Sequence, residues 1–276
     1  MPFTEPQTIC SAMKHAIRCS IIILLMITQA SLAQGESAIE KITEIKKIIE
    51  QAELLFDQGN YDESEQLYLK SLEISKIQLA PDDPEVATIL NGLGSLLLIK
   101  KQYGESEVLM SKALEIRQKR LGIEDSNTIK SMHNLAYIFQ YGGKYGEAEL
   151  TFSQVLRIKE KVYGSGHPEF ASTLNDLGML CVYRKNYIEA ERYFLRSLKI
   201  REETLGKDCL DVAKTLNNLS IVYIFEGRFV EAEPILRRIV AIREKQLGSE
   251  HPDTKNVRNN LNEIIKINKN KRWLSE

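Results

Sequence analysis

Residues 216–233 read LNNLSIVYIFEGRFVEAE. Two apolar-rich stretches flank a Gly-Arg pair, and the second opens on an aromatic followed by x-Glu-Ala-Glu. The same plan stands upstream at 174–191, LNDLGMLCVYRKNYIEAE. The aromatic that heads the signature falls at Tyr61, Tyr103, Tyr145, Tyr187 and Phe229, always 42 residues apart. Pro84, Ser126, Pro168, Leu210 and Pro252 keep that step, and so do Asn91, His133, Asn175, Asn217 and Asn259. Three markers in phase over about 200 residues define a repeat, and a repeat of this length dictates architecture before any single residue is weighed.

Each unit reads as a helical hairpin. After Leu210-Asp211, Leu216, Leu219, Ser220 and Tyr223 recur at three- and four-residue spacing, one apolar stripe at helical period. Gly227-Arg228 makes the turn, as Gly143-Lys144 and Gly59-Asn60 do elsewhere. The second helix begins near Phe229 with Glu231 and Glu233 in its first turn, where the helix dipole favours acids. Ala232, Leu236, Ile239 and Ile242 form its stripe, Gly248 ends it, and His251-Pro252-Asp253 starts the next helix. No strand-like alternation of any length is present. One hairpin cannot bury its own stripe, so neighbours must stack into a continuous core.

The expected fold is therefore all-α: a right-handed superhelical solenoid of antiparallel helix hairpins with a C-terminal capping helix. The hairpins are expected at about 43–84, 85–126, 127–168, 169–210 and 211–252, the cap at 253–269 and a polar tail at 270–276. Its exterior comes from IKINKNKR (265–272), as suits a terminal helix.

The strings LNNLSIVYIFEGRFVEAEPILRRIVAIREKQLGSEHPDT (216–254) and LNDLGMLCVYRKNYIEAERYFLRSLKIREETLG (174–206) resemble tetratricopeptide repeats, specifically the 42-residue kinesin-light-chain type. That resemblance implies a concave groove, lined by the first helices, that binds an extended peptide through asparagines bonding its backbone. There are departures. Ser126 and Leu210 replace the loop proline, Leu97 and Cys181 stand where the fifth repeat has Tyr223, and Ile49 occupies the asparagine slot of the first repeat. The ladder therefore starts at the second repeat. No heptad region for a motor heavy chain is present.

The phase of the stripe sets Asn91, His133, Asn175, Asn217 and Asn259 on the face opposite the core-facing Leu93, Leu135, Leu177 and Leu219. Beside them run Asn134, Asp176, Asn218 and Asn260, with Gly92 as the gap. Side-chain amides offer both donor and acceptor and so suit a peptide main chain; the same amides could instead bond neighbouring helices, and both readings stand. One turn earlier lie Lys130 and Lys214, with Thr88, Ser172 and Asn256 in the matching slots. Tyr137, Tyr141, Tyr183 and Phe225 are aromatic candidates farther along, so the face suits a segment with some acidic character. Solvated lysines are an equal reading of Lys130 and Lys214.

Glu63, Glu105, Glu147, Glu189 and Glu231 sit one per repeat at helix starts, so no two converge as glycosidase carboxylates must. His167 and His251 precede loop prolines and read as turn residues. No metal-ligand spacing, phosphate loop or nucleophile elbow occurs, so neither enzyme nor cofactor is expected. A net charge of −1 gives no general attraction to nucleic acid.

The first residues differ from the rest. Lys14 and Arg18 precede the apolar run CSIIILLMIT (19–28), and QASLA (29–33) ends in small residues. That order is a secretory signal, expected over 1–33 with cleavage near Ala33 and a lead-in at 34–42. The start codon is Met1 or Met13. The apolar run is shorter than the ~20 residues of a membrane span, so no stable membrane insertion is expected after cleavage. Cys10 and Cys19 would leave with the signal. Cys181 and Cys209 lie at opposite ends of a hairpin, roughly 16 Å apart by helical rise, beyond disulfide reach; Cys181 is expected buried and Cys209 more exposed. The expectation is an exported, periplasmic or secreted, non-catalytic scaffold for a protein or peptide partner, monomeric or weakly self-associating. The alternative is an assembly module that self-associates through its terminal helix faces.

Overall fold

The computed structural model describes residues 42–273, with side chains up to 270, and every regular element among them is an α-helix. α1 spans 42–57. Then follow α2 (Tyr61–Gln78), α3 (Pro84–Ile99), α4 (Tyr103–Leu121), α5 (Ser126–Tyr141), α6 (Tyr145–Tyr163), α7 (Pro168–Tyr183), α8 (Tyr187–Leu205), α9 (Leu210–Phe225), α10 (Phe229–Leu247) and α11 (Pro252–Trp273). The proposed signal and nearly all of the lead-in lie outside the described residues. The fold class is all-α, a succession of antiparallel helix hairpins. Among the described residues no helix is long and apolar enough to cross a membrane.

The chain divides within α3 into two compact units, one running up to Leu93 and the other from Gly94 onward. In the first, the buried Ile45, Ile49 and Ala52 of α1 face the hairpin interior. Ser64 Oγ donates to the Ala52 carbonyl at 2.7 Å, and the Tyr68 ring covers Gly92, where an added Cβ would lie 2.2 Å from it. The gap at Gly92 in the amide ladder is thus filled by a ring.

In the second unit each helix packs chiefly on its neighbours in sequence. Packing is a large residue against a small one, repeated. Met110, Phe152, Phe194 and Leu236 are fully buried at 42-residue steps on the second helices. Gly94, Ala136, Gly178 and Ser220 hold the matching steps on the first helices. Met110 packs over Gly94, Phe152 clusters with Ala136 and Phe194 lies over Gly178. Burying one such side chain contributes roughly 1.5–3 kcal/mol.

The hairpin turns share a backbone shape. Gly59, Lys101, Gly143, Lys185 and Gly227, again 42 apart, all have positive φ, between 59° and 80°. Two lysines therefore occupy a left-handed position that the sequence marks only through its glycines. At the other end of the hairpins, Gly122, Gly164, Gly206 and Gly248 follow α4, α6, α8 and α10, whereas Ala80 holds that step after α2. Accordingly α2 stops at Gln78 and Leu79 is extended.

α11 runs from Pro252 to Trp273, so the helix takes in the first residues of the polar segment after 269. No glycine or proline follows Pro252 to stop it, and its closing lysines and arginine suit a helix C-terminus.

Candidate functional site: the polar face of the first helices

The site is built on α5, α7 and α9 of the second unit. Leu135, Leu177 and Leu219 are buried, at 2–7% exposure, and the two residues before each carry the polar side chains. His133, Asn134, Asn175, Asn217 and Asn218 are half-buried, while Asp176 is buried.

Part of this ladder is consumed by bonds from helix to helix. The Asp176 carboxylate on α7 accepts from His133 Nε2 and from Tyr137 Oη on α5, both at 2.7 Å. Asn218 Nδ2 on α9 donates to Asn175 Oδ1 on α7 at 3.1 Å. His133 is thus tied to the next first helix, and Tyr137 packs edge-on to Phe152. Burial and then the Asp176 charge hold the Tyr137 phenol far above its ordinary pKa. A nearly dry carboxylate that accepts from two donors is a strong tie between consecutive first helices.

The remaining candidates divide cleanly. Asn134 and Asn217 have no side-chain partner among the described residues. Lys130 is exposed, and Lys214 reaches Asp211 at 3.4 Å with both groups largely in solvent. Asn259 and Asn260 are exposed on α11. Asn91, in the first unit, is half-buried. Toward the C-terminal ends of the same helices stand Tyr141, Tyr183 and Phe225, at 48%, 43% and 61% exposure. Tyr141 meets Tyr183 edge-on at 6.4 Å, Tyr183 stacks on Tyr145, and Phe225 lies against Tyr187.

A basic series escaped the sequence reading. Arg117, Lys159, Arg201 and Arg243 recur every 42 residues on the second helices, and the first three are only 3–7% exposed. Each donates to a carbonyl in the first turn of the following helix: Asn127, Glu169, Asp211 and Asp253. Arg117 and Arg201 also reach the Ser131 and Thr215 hydroxyls, and Lys159 the Glu169 carboxylate. Their periodicity was the available signal; four cations at a fixed phase of an apolar stripe have a common partner. These residues lock hairpin to hairpin.

His167 and His251 cap helices. Their Nδ1 atoms accept the Glu169 and Asp253 amides at 3.1 and 3.2 Å. Among the described residues no three His, Cys, Asp or Glu side chains gather as metal ligands. Cys181 and Cys209 are unpaired, the former buried and the latter half-exposed. Burial, then Glu189 and Glu149, push the Cys181 thiol up to about 12, so it remains a protonated core side chain.

The family model of the tetratricopeptide repeat matches residues 47–107, 85–161, 169–245 and 211–262. The chain belongs to the tetratricopeptide repeat family. Among solved structures, it is similar to a Podosopora anserina putative kinesin light chain with nearly identical TPR-like repeats. Identity there is 22% and the TM-score 0.63, covering 74% of this chain and 96% of that one. BtubC (BKLC) from P. vanneervenii is 25% identical at TM-score 0.62, covering 78% and 91%. A Rap protein complexed with competence and sporulation factor is 18% identical at TM-score 0.59, covering 82% and 64%. A comparison with curated protein sequences finds no significant match.

Proposed function

We propose that this chain is a non-catalytic scaffold that holds an extended peptide or partner segment on the polar face of α5, α7 and α9. The observation that carries it is the division of the ladder. Asp176, His133, Tyr137, Asn175 and Asn218 are occupied with each other, while Asn134 and Asn217 keep uncommitted amides beside a row of exposed aromatic rings. Free amides supply the donors and acceptors that a peptide backbone lacks once it leaves water. The rings of Tyr141, Tyr183 and Phe225 supply the apolar anchors on which hot spots are built. Lys130 and Lys214 at the opposite edge favour a segment with acidic residues.

The test is partner capture with an Asn134→Ala/Asn217→Ala variant, from envelope material of the producing cell. Loss of capture with an unchanged melting temperature supports the face; undiminished capture overturns it. Asn175 is the wrong probe, because its loss also breaks the bond to Asn218.

We further propose that the chain is exported and processed near Ala33. The order of Lys14 and Arg18, the run 19–28 and the small residues before Gln34 supports this. N-terminal sequencing of the mature protein decides it; a start upstream of residue 30 overturns the cleavage site.

A further inference from the structure

Among the described residues no second helix packs on α11 after it, and the preceding repeat identifies the positions that would face one. Ala213, Leu216, Ser220 and Tyr223 of α9 are buried. Forty-two residues on, α11 carries Lys255, Arg258, Asn262 and Ile265 instead. Lys255 and Asn262 are exposed, and Arg258 and Ile265 half-buried. With the exposed Lys269 they stand at i, i+3, i+7, i+10 and i+14, a single helical stripe with one aliphatic residue between basic ends. An open concavity on this side is lined by Asn259, Asn260, Asn262, Glu263, Ile265 and Lys266. Residues 252–273 hold six basic and two acidic side chains, a net charge of +4. Lys255 and Arg258 pair with Glu250 and Glu244, solvent-facing contacts of the kind worth under about 1 kcal/mol and open to exchange. Lys269 has no ion-pair partner among the described residues.

The other end of the chain has the opposite character. Residues 42–83 hold ten acidic and four basic side chains, a net charge of −6. On α1, Glu50, Leu54 and Asp57 stand at i, i+4 and i+7, turned away from the buried Ile45, Ile49 and Ala52. Leu54 is 57% exposed, and Glu50 and Asp57 are exposed with no ion pair among the described residues.

We propose that a second copy of this chain docks head-to-tail here. The α1 stripe of one copy packs on the α11 stripe of the next, at the positions a second helix would face. Leu54 meets Ile265, and Glu50 and Asp57 meet the basic side chains that flank it. The polar stripe on α11 refuses an apolar helix but matches an acidic one, and both stripes are on the same molecule. Because the two patches differ, the contact is heterologous and a pair of copies leaves one patch of each kind free, so association continues past two copies. This contact is independent of the polar face of α5, α7 and α9.

Sedimentation velocity of the purified protein tests it. Mass should grow with concentration at about 50 mM salt, and the apparent Kd should weaken about tenfold or more at about 500 mM. Lys269→Glu and Glu50→Lys should each abolish association while leaving the thermal melt unchanged. Mixing the two variants should restore it, since every end then meets a complementary charge. A monomer at all concentrations in low salt, association indifferent to salt or to either variant, or two variants that stay monomeric when mixed would each overturn the proposal.

Discussion

Tyr137 Oη on α5 lies 2.7 Å from Asp176 Oδ1 on α7, and the same carboxylate takes a second 2.7 Å bond from His133. Two donors on one helix are thereby committed to one acceptor on the next. Removing a donor leaves the buried carboxylate under-satisfied. Tyr137→Phe should lower unfolding free energy by about 1–2 kcal/mol, and Asp176→Ala by roughly 2–3 kcal/mol, since it strands both donors. Urea titrations followed by circular dichroism measure both. A Tyr137→Phe variant as stable as the parent would show that the bond contributes nothing net.

Alkaline stability follows from the same phenols. Burial, then Glu53 and Asp57, push Tyr68 up to about 12, and Tyr137 moves further in that direction. A raised pKa means that the folded state favours the neutral phenol. The stabilisation is therefore complete below the ordinary phenol pKa near 10 and is lost as pH rises from there through about 12. The melting temperature should hold up to about pH 10 and then fall, with a late-ionising class in the tyrosinate absorbance. All eleven tyrosines titrating in a single step near their ordinary pKa, with the fold intact, would contradict this.

Gly178 illustrates how little room the repeat leaves. An added Cβ would sit 2.6 Å from the Phe194 ring, which is fully buried and has nowhere to go. Gly178→Ala should cost about 1–3 kcal/mol by overpacking. Adding Phe194→Leu should recover much of it, because the fifth repeat carries Ser220 and Leu236 at these steps. Gly146 in α6 has nothing within 4 Å of its missing Cβ, so Gly146→Ala should instead stabilise by about 0.5–1 kcal/mol. Thermal melts of the three variants distinguish steric cost from glycine's intrinsic helix penalty.

The hairpins, their phase and the core-facing leucines were legible because a 42-residue period repeats every local signal five times. Single pairings were not. Whether Asn218 bonds Asn175 or faces solvent depends on the stagger between α7 and α9, which no periodicity reports. His133 and Asp176 looked like irregular rungs, yet their difference from asparagine is what lets them bond each other across 43 residues of sequence. Arg201 was passed over for another reason. A cation among apolar residues reads as solvated, whereas its guanidinium is 7% exposed and finds the Asp211 carbonyl and the Thr215 hydroxyl. Satisfied burial of a charge is a property of its partners, and those lie in the next helix.

Turn geometry offers the last prediction, because its sign differs between repeats. Lys185 and Gly143 occupy equivalent turn positions at φ of 59° and 77°. For a side-chain-bearing residue the left-handed region costs about 1–2 kcal/mol, while glycine there pays roughly 0.5–1 kcal/mol in unfolded-state entropy. The first figure exceeds the second, so Lys185→Gly should raise stability by about 0.5 kcal/mol and Gly143→Ala should lower it by a similar or larger amount. Nothing lies within 4 Å of a Cβ added at Gly143, so packing does not enter there, and Lys185 is exposed. Urea midpoints at constant m-value report the two changes directly. Opposite signs confirm that backbone strain is stored at the lysine turns. Should Lys185→Gly destabilise instead, the lysine side chain itself holds that turn, and Lys101→Gly should then behave the same way.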